Sequence, residues 1–390
     1  MTGMADTTDA GLTGDTAPCV LIGAGGTGGH IYPGLALARA VRRAAPGARV
    51  AFFGTGRGLE TRLVPEAGFE LHTVDMVPMS RGHLMRFPFA LAASVRQAGE
   101  IIAATRAGVA IGMGGYSSAP LIAAARLAGV PALIHESNAV PGRANRFSAR
   151  FTRNVALAFA EAAEYFPDAQ RCRAVGMPLA PELAAFDRDA LRAGARERFG
   201  VPDGAALVLV NGGSQGATRI NAAAVELAGR WRHRDDVRFL IKAGAEGAEE
   251  LERRLWACGG TRIARAVGYL DRMDLAYAAA DVALGRAGSA TVAELARVGL
   301  PSVLVPYPHA PLDHQTRNAR ALADRGAAVL LPDADTDAER LGPLLHDLVT
   351  DAGRRERMAA AARDGSNAGA ADELAAWVLD LCPAAAGRPA

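Results

Sequence analysis

Short apolar runs alternate with longer stretches of helical periodicity along most of the chain. The runs Cys19–Ala24, Val50–Phe53, Val109–Ile111 and Ala132–Ile134 come first, and Leu207–Val210, Arg238–Ile241, Val282–Leu284 and Ser302–Val305 follow. They predict short buried strands. Between them lie stretches rich in alanine, leucine and arginine, among them Leu35–Ala45, Ala90–Arg106, Ala217–Arg230 and Thr291–Val298, which predict helices. Strand alternating with helix builds parallel, doubly wound sheets of the α/β class.

The pattern occurs twice with the same punctuation. Gly23-Ala24-Gly25-Gly26-Thr27-Gly28-Gly29-His30 follows the first run and opens a helix, and Gly212-Gly213-Ser214-Gln215-Gly216-Ala217 does the same after Leu207–Val210. Two such starts, far apart, predict two Rossmann-like domains facing one another, with Met177–Ala185 (containing Pro178 and Pro181) as the hinge. The expected domains span 18–180 and 181–367. The ends, 1–17 and 383–390, read as disordered tails.

Length agrees with two domains, since 390 residues exceed one ordinary domain. A net charge of +2 argues against a nucleic-acid partner. Cys19, Cys172, Cys258 and Cys382 form no metal-binding spacing, and a reduced intracellular chain suits them. The start, with Asp6, Asp9 and Asp15, lacks the basic and apolar regions of a signal peptide. No uncharged apolar run is long enough to span a bilayer; even Pro120–Ile134 contains Arg126.

The first glycine loop has the spacing of an anion-binding turn at a helix N-terminus. A dinucleotide site also wants an acid at the end of the second strand, and Phe53-Gly54-Thr55-Gly56 has none. What the loop does have is His30, a residue type able to serve as a general base near neutral pH. In the second half, Ser214 can donate to a phosphate oxygen. Gly288-Ser289-Ala290-Thr291-Val292-Ala293-Glu294 offers a helix start for a diphosphate and a carboxylate for two ribose hydroxyls. Gly112-Met113-Gly114-Gly115-Tyr116, His135-Glu136-Ser137-Asn138 and His314-Gln315-Thr316-Arg317-Asn318-Ala319 all follow strands, where α/β enzymes place ligand contacts. Each has a plainer reading as a capped turn: Asp313 could cap its helix, and an acid near a helix start could only offset the dipole.

Asp333-Ala334-Asp335 resembles a metal-holding pair but is expected to cap the helix leading to Leu341, so no metal is assigned. The stretch containing Leu84, Met85, Arg86, Phe87 and Phe89 mixes apolar and basic residues, with no acid between Asp75 and Glu100. It suits docking on an anionic membrane surface.

Taken in order, GGTGGH, GMGGY, HESN, GGSQGA, the Gly288–Glu294 segment and HQTRNA resemble the MurG family of UDP-N-acetylglucosamine transferases, over a span from about Val20 to the final helix. The resemblance implies the GT-B architecture, two Rossmann-like domains around a cleft, with a last helix (368–382) returning to the first domain. It implies inverting, metal-independent transfer from UDP-N-acetylglucosamine to lipid I at the cytoplasmic face of the membrane, with no cofactor beyond the substrates. Gly25, Gly26, Gly114, Gly115 and Tyr116 would meet the acceptor diphosphate. Thr27, Gly28, Gly29, Asn138 and Gln315 would line the donor sugar. Ser214 and Gly288 to Ala293 would hold the donor diphosphate, Leu270 the uracil and Glu294 the ribose, with His30 as base. The family's hinge arginine is replaced here by Ala180, and Arg286, ahead of Lys242, is the expected substitute. A related transferase with another acceptor, or a silent nucleotide-sugar binder, are the competing readings.

Overall fold

Continuous apolar strands buried on both faces can only form sheets covered by helices on each side. The computed structural model, which describes residues 19–76, 87–212, 217–244, 247–364 and 366–382, has two of them. The expected tails at 1–17 and 383–390 lie outside the described residues.

The first sheet holds β1 (Cys19–Gly23), β2 (Arg49–Thr55), β3 (Glu70–Val74), β4 (Ala107–Gly112), β5 (Ala132–Glu136), β6 (Asn154–Leu157) and β7 (Cys172–Ala174). The second holds β8 (Ala206–Asn211), β9 (Val237–Lys242), β10 (Ala264–Val267), β11 (Val282–Gly285), β12 (Ser302–Leu304) and β13 (Ala328–Leu330). Their orders are β3-β2-β1-β4-β5-β6-β7 and β10-β9-β8-β11-β12-β13, parallel throughout. Leu21 pairs with Ala51 on one side and Ala110 on the other, and apolar clusters cover both faces of each sheet. In each sheet the chain order reverses beside the first strand, between β1 and β4 and between β8 and β11. Ligands of doubly wound sheets bind beyond the strand ends at such switch points. The glycine motifs therefore fall where the topology opens a crevice.

The chain passes between domains at one place. Val175 packs in the first domain's core, whereas Met177, Leu179 and Leu183 already pack in the second's. Gly176 lies between them at φ +86°, where a Cβ would press on Asn367 at 3.2 Å and Ala370 at 3.3 Å. The return crosses at the same spot: Asn367 Nδ2 donates to the Val175 carbonyl at 2.8 Å. The helix Ala370–Leu381 then lies on the helix Gly28–Ala44, burying Leu374, Trp377 and Val378. Each large apolar side chain so buried contributes roughly 1.5–3 kcal/mol. The exposed Arg43–Asp372 pair across the same contact contributes under about 1 kcal/mol. Apolar burial holds this helix in place.

Among the described residues no helix is long and apolar enough to cross a membrane.

Candidate functional site

β1 ends in the first glycine loop, and Thr27 stands at the N-cap of the helix that begins at Gly28. His30 is in that helix's first turn. Its Nδ1 lies 3.3 Å from the Gly25 carbonyl oxygen and 3.3 Å from Thr27 Oγ1. A carbonyl can only accept, so a bond to Gly25 places the proton on Nδ1 and leaves Nε2 as the basic nitrogen of the neutral ring. Burial pushes the imidazole pKa down. The Gly25 contact opposes that shift, and His314, on the second domain, adds to it.

The loop after β4 is shaped around this ring. Gly114 and Gly115 adopt φ +99° and +80°, conformations that favour glycine. A Cβ on Gly114 would sit 2.8 Å from His30 Cδ2 and 3.0 Å from Nε2. One on Gly115 would meet the Gly25 carbonyl oxygen at 2.7 Å. Glycine at these positions leaves the basic nitrogen uncovered. Ser118 Oγ, donating within reach of both the Gly23 (2.9 Å) and Gly114 (2.6 Å) carbonyls, ties the two loops together. Tyr116 is exposed beside them.

The acid missing from the end of β2 arrives slightly later, as Glu60. It is fully buried, and its carboxylate accepts from the Thr55 N–H (3.1 Å), the Thr55 hydroxyl (2.8 Å) and the Gly26 N–H (3.1 Å). The Gly26 amide, expected to face an incoming diphosphate, is thus engaged beneath the loop. Only its place in a glycine-rich stretch, Gly54 to Glu60, hinted at this in the sequence.

After β5, Glu136 organises a tight turn. It accepts from the Asn138 N–H (2.9 Å), Asn138 Nδ2 (3.3 Å), Asn145 Nδ2 (2.9 Å) and the Gly142 N–H (3.2 Å). Burial raises its pKa while these bonds oppose the rise. Asn138 Oδ1 also accepts from Asn318 of the second domain, so both ends of its amide already have protein partners. His135, with Nε2 2.9 Å from the Gly176 carbonyl, is held neutral by burial at a pKa of about 4.

In the second domain Gly288 is the N-cap of the helix Ser289–Val298, and Ser289 to Ala293 form its opening turns. No acid lies in its first turn, so its positive end is not offset by the helix itself. Glu294 comes later, in the second turn, which removes the reading that it offsets the dipole. Tyr277 donates to its Oε2 at 2.7 Å; burial raises its pKa, with Tyr277 and Lys242 opposing. Leu270 is buried next to Tyr269, whose hydroxyl lies 3.3 Å from that of Tyr32 on the first domain. Gln315 Oε1 accepts the Tyr307 N–H at 2.9 Å, which leaves its NH₂ group for a ligand. Ser214 lies outside the described residues.

Three expectations change. Asp333 and Asp335 do not cap the following helix; Asp337 does, accepting the Arg340 N–H at 2.8 Å, because the turn at Asp333–Asp335 ends before the helix begins. Arg286, the expected substitute for the hinge arginine, is already anchored in the protein through its Nη1. It pairs with Asp333 at 2.6 Å and donates to the Val305 and Pro306 carbonyls. Asp313 does occupy an N-cap position, but at φ +52° its carboxylate takes the Thr316 hydroxyl (2.7 Å) instead of a backbone amide. Ala180 is simply the N-cap of the short helix Pro181–Ala184.

The cleft brings these pieces together: the helices Gly28–Ala44 and Ser289–Val298 touch across it. Among the described residues, no group of three or more His, Cys, Asp or Glu side chains could hold a metal ion. Of the stretch expected at a membrane, Leu84, Met85 and Arg86 lie outside the described residues, while Phe87 and Phe89 stand in the first turn of the helix Phe87–Thr105. Beside that helix runs a groove lined by Leu91, Val95, Leu127, Phe147 and Phe151, with Arg96 at its side.

Comparison with known proteins gives consistent matches. The glycosyltransferase family 28 N-terminal domain matches residues 20–157 and the family 28 C-terminal domain residues 207–374. A protein of Salinibacter ruber named UDP-N-acetylglucosamine–N-acetylmuramyl-(pentapeptide) pyrophosphoryl-undecaprenol N-acetylglucosamine transferase is 42% identical, over 94% of this chain and 97% of its own. The protein of the same name from Mycobacterium sp. (strain JLS) is also 42% identical, with the same coverage. The crystal structure of Acinetobacter baumannii MurG superposes with a TM-score of 0.75 at 26% identity, over 93% of this chain and 99% of that one.

Proposed function

Since this chain belongs to the MurG family within glycosyltransferase family 28, we propose that it transfers N-acetylglucosamine from UDP-N-acetylglucosamine to lipid I, forming lipid II for peptidoglycan. What carries the reading is the pairing across one cleft of a half-buried His30, whose pKa is lowered, and a helix N-terminus free of acids. The first can accept a proton and the second can receive a negatively charged leaving group.

In this reaction an acceptor hydroxyl oxygen attacks the anomeric carbon as its bond to UDP breaks, with inversion. The hydroxyl proton passes to His30 Nε2. Charge developing on the UDP oxygens falls on the opening amides of the helix Ser289–Val298. Leu270 borders the uracil, Glu294 accepts the ribose hydroxyls, and the NH₂ of Gln315 donates to the sugar. The acceptor diphosphate meets Gly115, Tyr116 and the first amides of the Gly28 helix, which have no partners within the helix.

UDP release from UDP-N-acetylglucosamine, measured with and without a short-chain lipid I analogue, tests the proposal. Release is expected only with the acceptor, and transfer is expected to survive excess EDTA with modest loss. Release without acceptor dependence would count against lipid I. A complete loss restored by magnesium or manganese would overturn stabilisation of the leaving group by helix dipoles.

The apolar groove beside Phe87–Thr105, lined in part by Arg96 and with Arg150 over its Phe147 ring, supports peripheral docking on an anionic leaflet, on the cytoplasmic face. Leu127, 79% exposed, is the natural probe. Leu127→Glu is expected to weaken sedimentation with vesicles containing phosphatidylglycerol severalfold without changing UDP affinity. Unchanged sedimentation would move the docking surface elsewhere.

A further inference from the structure

Asn318 is the fifth residue of the HQTRNA motif. It lies on the helix His314–Ala323 of the second domain and is fully buried. A buried carboxamide must find its partners inside the protein. Those of Asn318 come from two domains. Its Oδ1 accepts the Ala139 N–H at 2.8 Å. Its Nδ2 donates to Asn138 Oδ1 at 3.2 Å and to the Ala287 carbonyl at 3.2 Å. One planar group thereby joins the turn after β5, the residue just before Gly288, and the helix that carries Gln315.

The first-domain end of this contact is stiff. Glu136 holds the Asn138 and Gly142 amides, so the turn cannot readily follow the second domain if the two separate. The fit is also chemically selective. An aspartate at 318 offers only acceptors and would face two acceptors, Asn138 Oδ1 and the Ala287 oxygen. A leucine would leave the Ala139 N–H without a partner in a buried place. Only a donor–acceptor side chain at this spacing satisfies all of these groups together.

We propose that Asn318 is a positioning residue for transfer: by clasping Asn138 and Ala139 to Ala287, it sets the first domain, with His30, at working distance from the helix start that holds the donor diphosphate. The inference rests on the reaction proposed above. Asn318 touches no substrate and acts through the residues that it holds.

The test compares Asn318→Asp and Asn318→Leu with wild type in three measurements. Transfer kcat is expected to fall roughly 10- to 100-fold, the scale for losing buried hydrogen bonds. The Kd for UDP, by calorimetry, is expected to stay within about threefold, a cut-off that one neutral hydrogen bond would exceed. In hydrogen exchange the Ala139 amide is expected to lose protection while that of Gly142, held by Glu136 within one domain, keeps it. Parallel loss of UDP affinity and Gly142 protection would make Asn318 a general support of the fold and overturn the proposal. So would normal turnover with Ala139 deprotected. Should neither variant fold, the wild-type protein still decides: an Ala139 amide exchanging as fast as an exposed loop amide means that the clasp does not form. A wild type that transfers no sugar to the lipid I analogue would refute the reaction itself, while Ala139 protection would still report on the clasp.

Discussion

His30→Ala is expected to lower turnover by about 10²- to 10⁴-fold, the range for loss of a general base, with UDP binding near its wild-type value. The reasoning starts from the ring's surroundings. A base must be unprotonated at working pH, and burial with a nearby His314 pushes the His30 pKa below the ordinary histidine value. The Gly25 carbonyl fixes which nitrogen carries the proton, and the glycine at 114 keeps the other one uncovered. Since the pKa is lowered, the neutral form persists to lower pH than for a free histidine. The acid limb of kcat/KM for the wild type, which reports the free enzyme, should therefore lie below the usual histidine range. A limb above that range, or a fall in UDP affinity matching the fall in turnover, would assign His30 to binding or structure.

Glu294→Ala is expected to weaken UDP and UDP-N-acetylglucosamine alike, by roughly 1.5–3 kcal/mol for lost hydrogen bonds to a charged group, or about ten- to 150-fold. Acceptor affinity should barely move. The carboxylate is already held by Tyr277 and lies near Lys242, so it is oriented before any nucleotide arrives. Burial raises its pKa, and a protonated carboxyl accepts fewer hydroxyls. UDP affinity should thus begin to decline, as pH falls, earlier than an ordinary glutamate would predict. An unchanged Kd for UDP in the alanine variant would separate Glu294 from the ribose.

How much of this could be read from the sequence depended on burial. The central strands of both sheets announce themselves as apolar runs, since residues covered on both faces must be apolar. The edge strands β3, β7, β10 and β13, and β6 beside β7, are not among those runs. Glu70-Leu71-His72-Thr73-Val74 is mostly only partly buried and mixes polar with apolar residues, and Cys172–Ala174 is too short to form a pattern. At the site, the glycine motifs located the crevice, because backbone freedom is written in residue type. Partnerships were not. Arg286 looked available two residues before a helix start, yet Asp333 from a loop after β13 neutralises it. Glu60 went unnoticed because its partner, the Gly26 amide, lies 34 residues earlier in the chain.

The helix Ala370–Leu381 has a consequence for how the molecule is made. Part of the first domain's core is supplied by residues that are translated after the whole second domain. While a ribosome is still reading the second domain, the face of Gly28–Ala44 that awaits Leu374, Trp377 and Val378 stays open to water. The first domain therefore cannot finish folding in order of synthesis, and its exposed apolar face is open to wrong partners until the chain past Leu381 has emerged. The closure of the earlier domain also adds a further tie to the later one, through Asn367 and the Val175 carbonyl at the crossing.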